Sequence, residues 1–156
     1  MNTNLTLMAP QEFRGYLDVL IRDYAKDNVD AGYWEPKDAI ELSRKATESL
    51  LPQGLNTPNH YIYVVRDGDE RVGVVWMKAN IDQANKHAFI YDIAIDEERR
   101  GKGYGRKAME LIEEKVKELG LTQMALHVFA KNKVARNLYE SLGYEVKSLN
   151  MIKTLT

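Results

Sequence analysis

The chain has 156 residues, 44% hydrophobic and 29% charged, which is enough for one ordinary core and too little for two full domains. Its 22 Lys and Arg nearly balance 23 Asp and Glu, and the net charge of −1 provides no long-range attraction for nucleic acid or an acidic membrane. The absence of cysteine excludes disulfides, thiolate metal sites and a cysteine nucleophile. We expect one domain over residues 1–156 that binds neither nucleic acid nor membrane.

The N-terminal segment MNTNLTLMAPQEF has no charged leader followed by an apolar stretch. No window of the chain approaches the ~18 apolar residues of a membrane helix. The expectation is therefore a soluble, cytoplasmic protein.

The first half of the chain is predicted to hold a short strand, two helices and a hairpin. Residues 5–8 are the strand candidate, and helical spacing of apolar residues predicts helices near 10–26 and over 35–50. Residues 27–34 are expected to separate the first helix from the second. Two β-rich runs around Asp67-Gly68 indicate a hairpin.

The second half is predicted to alternate strands and helices. The strands are placed at 87–95 and 124–129, with one or two more in the tail at 144–155. A helix follows Gly105, and a short one covers 134–142. Together the two halves predict a mixed α/β chain around one central sheet.

Residues 97–120, EERRGKGYGRKAMELIEEKVKELG, place three glycines on alternate positions directly before a predicted helix. The spacing fits neither a Walker A loop nor a dinucleotide fingerprint. Glycines between a strand and a helix still let the backbone approach a ligand, and a helix N-terminus offers unpaired N–H groups and a partial positive charge. Arg106 and Lys107 in the first turn cost ~0.3–1 kcal/mol each unless an anion offsets them. The segment is therefore predicted to hold an anion, and the alternative is a mobile, solvated turn.

The glycine loop at 100–105 and a second run at 132–144 together carry a resemblance to a known family, the GNAT superfamily of acetyl-CoA-dependent N-acyltransferases. The run Arg100-Gly101-Lys102-Gly103-Tyr104-Gly105 resembles the superfamily's Arg/Gln-x-x-Gly-x-Gly/Ala loop, and it also follows a strand. The run NKVARNLYESLGY, residues 132–144, resembles the signature Asn-x-x-Ala-x-x-Leu-Tyr-x-x-x-Gly-Phe/Tyr. The resemblance covers residues 60–145, and residues 10–50 fit the superfamily's variable acceptor side.

The resemblance implies a fold with a mostly antiparallel, mixed central sheet flanked by about four helices. It implies a bacterial-type N-acetyltransferase that moves acetyl from acetyl-CoA to a primary amine by direct attack, without a covalent enzyme intermediate. The co-substrate would be acetyl-CoA, with no metal. The acceptor would be a small-molecule or protein amine, and a homodimer is left open as the assembly.

The resemblance also assigns residues to coenzyme A. The pyrophosphate is expected on the glycine loop, and the pantetheine arm is expected to pair with the preceding strand like an added strand. Asn132 resembles an asparagine that hydrogen-bonds the cofactor, although a helix N-cap is its alternative role. The cofactor residues implied are Ile93, Ala94, Ile95, Arg100, Gly101, Lys102, Gly103, Tyr104, Gly105, Arg106, Asn132, Ala135 and Tyr139.

Tyr139 is the candidate general acid, because the matching tyrosine of the family points its hydroxyl at the sulfur of acetyl-CoA. A phenol of pKa ~10 can hydrogen-bond or protonate a departing thiolate whose own pKa resembles the ~8.5 of cysteine. By its helical spacing alone, Tyr139 would be a core residue.

The general base stays open between two side chains and water. Some family members carry a Glu on the strand before the loop, but Phe89 aligns with it here. His127 is expected on a strand, where imidazole titrates in a useful range, and Asp92 is the second candidate. His60 and His87 are predicted to be solvated, and the three scattered histidines do not make a metal site.

The acceptor is expected near the break between the first two helices. Tyr33, Trp34 and Glu35 offer aromatic faces and a carboxylate suited to an ammonium group. The alternative is that Trp34 only packs the two helices together. Two other functions are weighed: a catalytically weak CoA-binding sensor or interaction module, and, disfavoured by the net charge, a nucleic-acid-binding module.

Overall fold

The computed structural model describes residues 1–82, 84 and 86–156 and divides them into two compact units. The first unit holds Met1–Tyr16 and Leu50–His127, and the second holds Leu17–Ser49 and Val128–Thr156. The strands are β1 Thr3–Leu7, β2 His60–Asp67, β3 Glu70–Asn80, β4 His87–Ile95 and β5 Gln123–Leu126. The α-helices are α1 Pro10–Asp30, α2 Pro36–Leu50, α3 Tyr104–Glu118 and α4 Lys133–Ser141.

The first unit is built on a five-stranded sheet in the order β1-β2-β3-β4-β5. Its neighbours pair antiparallel except β4 and β5, which are parallel. The predicted hairpin is confirmed, with Asp67 opposite Glu70 across a two-residue loop. Five strands in a mixed sheet with four α-helices confirm the predicted mixed α/β class.

β4 contains a β-bulge close to the residues predicted for the functional site. Trp76 of β3 faces Asp92 while Met77 faces Ile90, so Tyr91 is an extra residue in a β-bulge. β5 pairs with β4 only from His87 to Ile90. Within the described chain, β4 beyond Ile90 therefore has a strand neighbour on the β3 side only.

α3 covers the sheet and carries much of the first unit's core. It contacts β1, β3 and β4, and Ala108, Met109 and Ile112 are fully buried. The helix ends in a Schellman motif, in which the Gly120 N–H donates to Lys117 and the Leu121 N–H donates to Val116. The predicted helix and its glycine stop are confirmed.

The second unit is helical. The buried Ser43 hydroxyl of α2 donates to the Ile21 carbonyl of α1 at 2.7 Å, which ties the two helices together. α1 runs to Asp30, so the predicted break at 27–34 is wrong in its first four residues. α2 covers Pro36–Leu50, one residue shorter than the predicted 35–50, and proline is tolerated in a first helical turn.

The predicted terminal strands are wrong. Residues 144–156 form neither helix nor strand, and Leu149, Met151 and Leu155 are exposed. A strand needs a neighbour to satisfy its N–H and C=O groups. Residues 17–49 and 128–156, all of which are described, contain no strand that could pair with the tail.

Candidate functional site

The glycine loop joins β4 to α3 through left-handed backbone. Gly101 has φ +76° and Gly103 has φ +90°, conformations that glycine adopts without the strain a Cβ brings. Gly103 is the N-cap of α3 and provides no side-chain cap. A Cβ added at Gly101 or Gly103 would meet nothing within 4 Å. The loop therefore has a helix start and open space, which an anion held by backbone N–H groups requires.

Several basic side chains lie in the glycine loop and at its two ends. Arg99 donates to Glu70 at 2.5 Å, and this carboxylate raises the pKa of the guanidinium. Arg100 donates through Nε to the Ile95 carbonyl at 2.9 Å. Lys102 and Arg106 are exposed on the loop and in the first turn of α3. Positive charge therefore surrounds the N-terminus of the helix.

Tyr104 has a buried side chain, which was not foreseen for a residue predicted to touch the cofactor. Its hydroxyl donates to Asp67 Oδ2 at 2.5 Å. This bond raises the pKa of Tyr104 and, with the Asn2 N–H, lowers the pKa of Asp67. Only the backbone of Tyr104 is placed to serve a ligand of the loop.

The segment predicted for pantetheine, Ile93–Ile95, lies on the part of β4 that β5 leaves uncovered. Ala94 is exposed. The Ile95 carbonyl already accepts from Arg100, so it is the least suited of the three to an added strand. A Cβ at Gly73 would lie 2.4 Å from the Ala94 carbonyl oxygen, so only glycine lets β3 approach this segment closely.

Asp92 has the partner that a carboxylate in an apolar strand requires. The hydroxyl of Tyr16, on α1, donates to Asp92 Oδ2 at 2.8 Å. Burial, followed by the charge and hydrogen bond of Asp92, holds the pKa of Tyr16 well above its usual value, while Arg71 acts weakly the other way. Tyr16 therefore stays protonated and fixes the Asp92 carboxylate beside the bulge.

Four rings next to the bulge were not anticipated as a group. Trp76 stacks on Tyr91 at 4.8 Å between centroids, and Phe89 lies 4.8 Å from Tyr91. The Trp76 indole N–H donates to His60 Nδ1 at 3.0 Å, which assigns the His60 proton to Nε2. These contacts follow from strand register, and no local sequence signal reveals them.

The prediction that His60 and His87 are solvated is wrong. Both are half-buried, and burial with the nearby Lys78 charge lowers the pKa of His60. His87 Nε2 lies 3.2 Å from Asn80 Nδ2. Each is the first residue of its strand, where pairing with the neighbouring strand brings side chains against the ring.

His127 does not lie on a strand. The predicted strand at 124–129 is shorter in the structure, because β5 ends at Leu126. His127 follows it with an exposed side chain. Its role as a base stays a prediction.

The second motif forms both ends of α4. Asn132 is the N-cap, and its side chain accepts from the Ala135 N–H at 3.2 Å. At the other end the Gly143 N–H donates to Glu140 and the Tyr144 N–H to Tyr139, which is a Schellman motif. The capping role of Asn132 is confirmed, and its role toward coenzyme A stays a prediction.

Tyr139 is buried on α4, with 9% of its surface exposed. Its ring packs edge-to-face on Tyr144 with 6.0 Å between centroids. This is the apolar contact that accompanies a Schellman motif. Packing therefore explains the ring of Tyr139, and the general-acid role of its hydroxyl stays a prediction.

The predicted acceptor residues follow α1. Trp34 packs edge-to-face on Tyr24 of α1 with 5.5 Å between ring centroids, and its alternative role of packing the two helices together stays a prediction. Tyr33 is 46% exposed, and the exposed Glu35 lies 3.8 Å from Lys37. Their part in acceptor binding stays a prediction.

Residues 1–82, 84 and 86–156 contain no group of three or more His, Asp or Glu side chains that could hold a metal ion. Across the same residues, every helix is too short or too polar to cross a membrane.

The fold is thus a mixed five-stranded sheet with a glycine loop between β4 and the start of α3. The model of the acetyltransferase (GNAT) family matches residues 19–144, and the chain belongs to that family. The resemblance in the two motifs is thereby confirmed.

Three proteins illustrate how similar the chain is to known members. It is 38% identical over 156 residues to YycN of Bacillus subtilis, an uncharacterised N-acetyltransferase, covering 99% of this chain and 100% of the relative. A crystal structure of YycN superposes with a TM-score of 0.96, covering 99% of both chains. YdgE of B. subtilis, also an uncharacterised N-acetyltransferase, is 37% identical and 95% of each chain is covered. The mycothiol acetyltransferase of Corynebacterium efficiens is 27% identical over 88% of this chain and 45% of its own length.

Proposed function

We propose that the chain is an acetyl-CoA-dependent N-acetyltransferase that acetylates a primary amine by direct attack. The observation that carries the proposal is the glycine loop, which ends in an N-cap of φ +90° without a side-chain cap and opens onto empty space at the start of α3. Backbone N–H groups at such a helix start suit the pyrophosphate of coenzyme A. Family membership supports the acyl-transfer chemistry.

The residues of the first unit would hold coenzyme A at two places. The loop from Arg100 to Arg106 would bind the pyrophosphate with its backbone and with the exposed Lys102. The uncovered edge of β4 at Ile93 and Ala94 would pair with the amides of the pantetheine arm. The bound co-substrate supplies the activated acetyl thioester.

Two proton transfers accompany the reaction. A primary amine of pKa ~10.4 is about one part in a thousand neutral near pH 7.4, so its proton must be accepted. We assign this step to Asp92, His127 or water, and prefer Asp92 because Tyr16 fixes its carboxylate at 2.8 Å. We assign protonation of the leaving thiolate to Tyr139, on the strength of the family motif.

The acceptor is proposed to be a small-molecule or protein amine, contacted by Tyr33, Trp34 and Glu35. The C. efficiens relative is named a mycothiol acetyltransferase, which favours a small molecule. We place the reaction in the cytoplasm, because a chain without cysteine suits a reducing compartment. Nucleic acid, membrane and metal are not part of the proposal, and a homodimer remains open.

A CoA-binding sensor or interaction module is the second candidate. Tyr139 would speak against it if catalysis were the only reason for a tyrosine there. However, the ring contact with Tyr144 gives Tyr139 a packing role, so its presence does not by itself require turnover.

The deciding experiment is an acceptor screen. The full chain is incubated with acetyl-CoA and a panel of polyamines, amino sugars, amino-sugar glycosides and peptide N-termini, and released CoA thiol is measured. Acetyl-CoA binding in calorimetry together with thiol release on one class of amine would establish the enzyme. Binding without release across the panel favours the sensor module, and absence of binding rejects both.

A further inference from the structure

We propose that Asp67 is a positioning residue for coenzyme A: through Tyr104 it fixes the start of α3 and hence the N–H groups of the glycine loop. The inference rests on the proposed function. It concerns the end of the β2–β3 hairpin, Asp67–Arg71, which the sequence presents only as a turn between two strands. We call this segment the hairpin end.

Both oxygens of the Asp67 carboxylate are occupied. Oδ2 accepts from the Tyr104 hydroxyl, and Oδ1 accepts from the Asn2 N–H at 2.9 Å. Tyr104 is the first residue of α3, and its side chain is buried. A hydrogen bond to a charged acceptor is stronger than one between neutral groups. Asp67, the last residue of β2, therefore ties the first turn of α3 to β2 and to the residue that precedes β1.

Two further contacts join the hairpin end to the residues that enter the loop. Glu70 accepts from Arg99, and Arg71 lies 3.6 Å from the Asp96 carboxylate. These ion pairs are partly exposed, so each contributes little by itself. They lie before Gly101, whereas Tyr104 lies after Gly103, and the hairpin end thus holds both flanks of the loop.

The loop depends on its flanks because it has little packing of its own. Gly101 and Gly103 both have open space where a Cβ would lie. Glycine also has the greatest backbone freedom to lose on becoming ordered. The position of the loop N–H groups is therefore determined mainly by the anchored residues at each end.

The test measures coenzyme A affinity by calorimetry in Tyr104→Phe, Asp67→Ala and the double variant. Tyr104→Phe keeps the buried ring and removes only the hydroxyl. Tyr61→Phe is the matched control, since Tyr61 lies on β2 and stacks on Tyr63 away from the hairpin end. Amide hydrogen exchange of residues 101–106 is followed in each protein without ligand, together with the melting temperature.

We expect the Kd for coenzyme A to rise roughly tenfold in Tyr104→Phe, which is the loss of one charge-assisted hydrogen bond. Exchange at 101–106 should accelerate. The double variant should lose no more affinity than the weaker-binding single variant, since each single variant already removes the hydrogen bond between Tyr104 and Asp67. Tyr61→Phe should leave both measurements unchanged.

Three results would overturn the inference. They are an unchanged Kd in Tyr104→Phe, multiplicative losses in the double variant, and a lower melting temperature with neither affinity nor loop exchange altered. If Tyr104→Phe does not fold, Asp67→Ala and its loop exchange decide the question in the same way. A wild-type chain that binds no coenzyme A would reject the proposed function itself, and that result precedes any variant.

Discussion

The glycine loop after β4 and the helix α4 both match family motifs, yet different physics accounts for their residues. In the loop, Gly101 and Gly103 have left-handed backbone, and a Cβ at either would meet nothing within 4 Å. In α4 the motif residues have partners inside the chain. Asn132 caps one end, and the Gly143 and Tyr144 N–H groups close the other.

The difference shows which motif carries information about a ligand. A helix that starts without a side-chain cap and with Arg and Lys in its first turn is poorly explained by the stability of the chain alone. A bound anion would explain it. The residues of the α4 motif form a short capped helix. This capping stabilises the chain whether or not it binds a ligand. The loop is therefore the stronger evidence for coenzyme A.

The largest effect is expected from Gly103→Val. A β-branched residue at φ +90° is a strained outlier, and its side chain would fill the space open to the pyrophosphate. We expect acetyl-CoA binding to be lost in calorimetry, with the circular dichroism spectrum retained.

Gly120→Val is the matched control for this change. Gly120 has φ +79° and open space at the other end of the same helix, so it brings similar strain without touching the loop. It should lower the melting temperature about as much as Gly103→Val and leave acetyl-CoA binding intact. Equal affinities in the two variants would mean that the loop is only a turn.

Tyr139→Phe tests whether the α4 motif does more than cap a helix. The change keeps the ring that packs on Tyr144 and removes the hydroxyl. We expect kcat to fall by ~10²-fold with acetyl-CoA affinity and melting temperature little changed, as for loss of a general acid. Tyr144→Phe is the control and should keep full kcat. Full activity in Tyr139→Phe would leave this residue with its packing role alone.

The features that the sequence predicted correctly are those that depend on residues close together along the chain. The helix α3 with its stop at Gly120, the hairpin around Asp67-Gly68 and the strand at 87–95 depend on neighbouring residues, and all three are confirmed. The glycine loop was likewise visible, because its unusual feature is the order of residues along the chain.

Features that depend on distant pairing were not visible. The alternating tail 144–155 has the pattern of strands, but strands also need a neighbour, and none is available in its unit. His60 meets Trp76 only through the register of β2 and β3. The bond from Tyr104 to Asp67 joins positions 37 residues apart, which no periodicity reports.

The proposed base is Asp92, on the strand that leads into the loop, with His127, on the segment that leads into α4, and water as the alternatives. We expect kcat/KM to rise with pH along a limb that survives His127→Ala and disappears in Asp92→Asn. The raised pKa of Tyr16 keeps its phenol protonated up to and beyond its usual ~10. The Tyr16 hydrogen bond to Asp92 is therefore present below that range and is lost only at higher pH.

Tyr16→Phe separates the two bases without removing either. Its hydroxyl favours the ionised carboxylate of Asp92, so deleting it should move the limb to higher pH if Asp92 is the base. The limb would not move if His127 were the base. A limb that survives both His127→Ala and Asp92→Asn reports the ammonium group of the acceptor, which water then deprotonates.

The smallest effect is expected from Asn132→Ala, which asks whether the first residue of the α4 motif serves the helix or the cofactor. The Asn132 side chain accepts from the Ala135 N–H, and loss of an N-cap typically costs ~1 kcal/mol. We expect a lower free energy of unfolding in urea, with the Kd for acetyl-CoA changed less than twofold. Asn132→Asp is the control, because aspartate caps equally well and should restore the stability. A Kd raised tenfold in Asn132→Ala at unchanged stability would assign Asn132 to coenzyme A. The α4 motif would then be as direct evidence for the ligand as the glycine loop is.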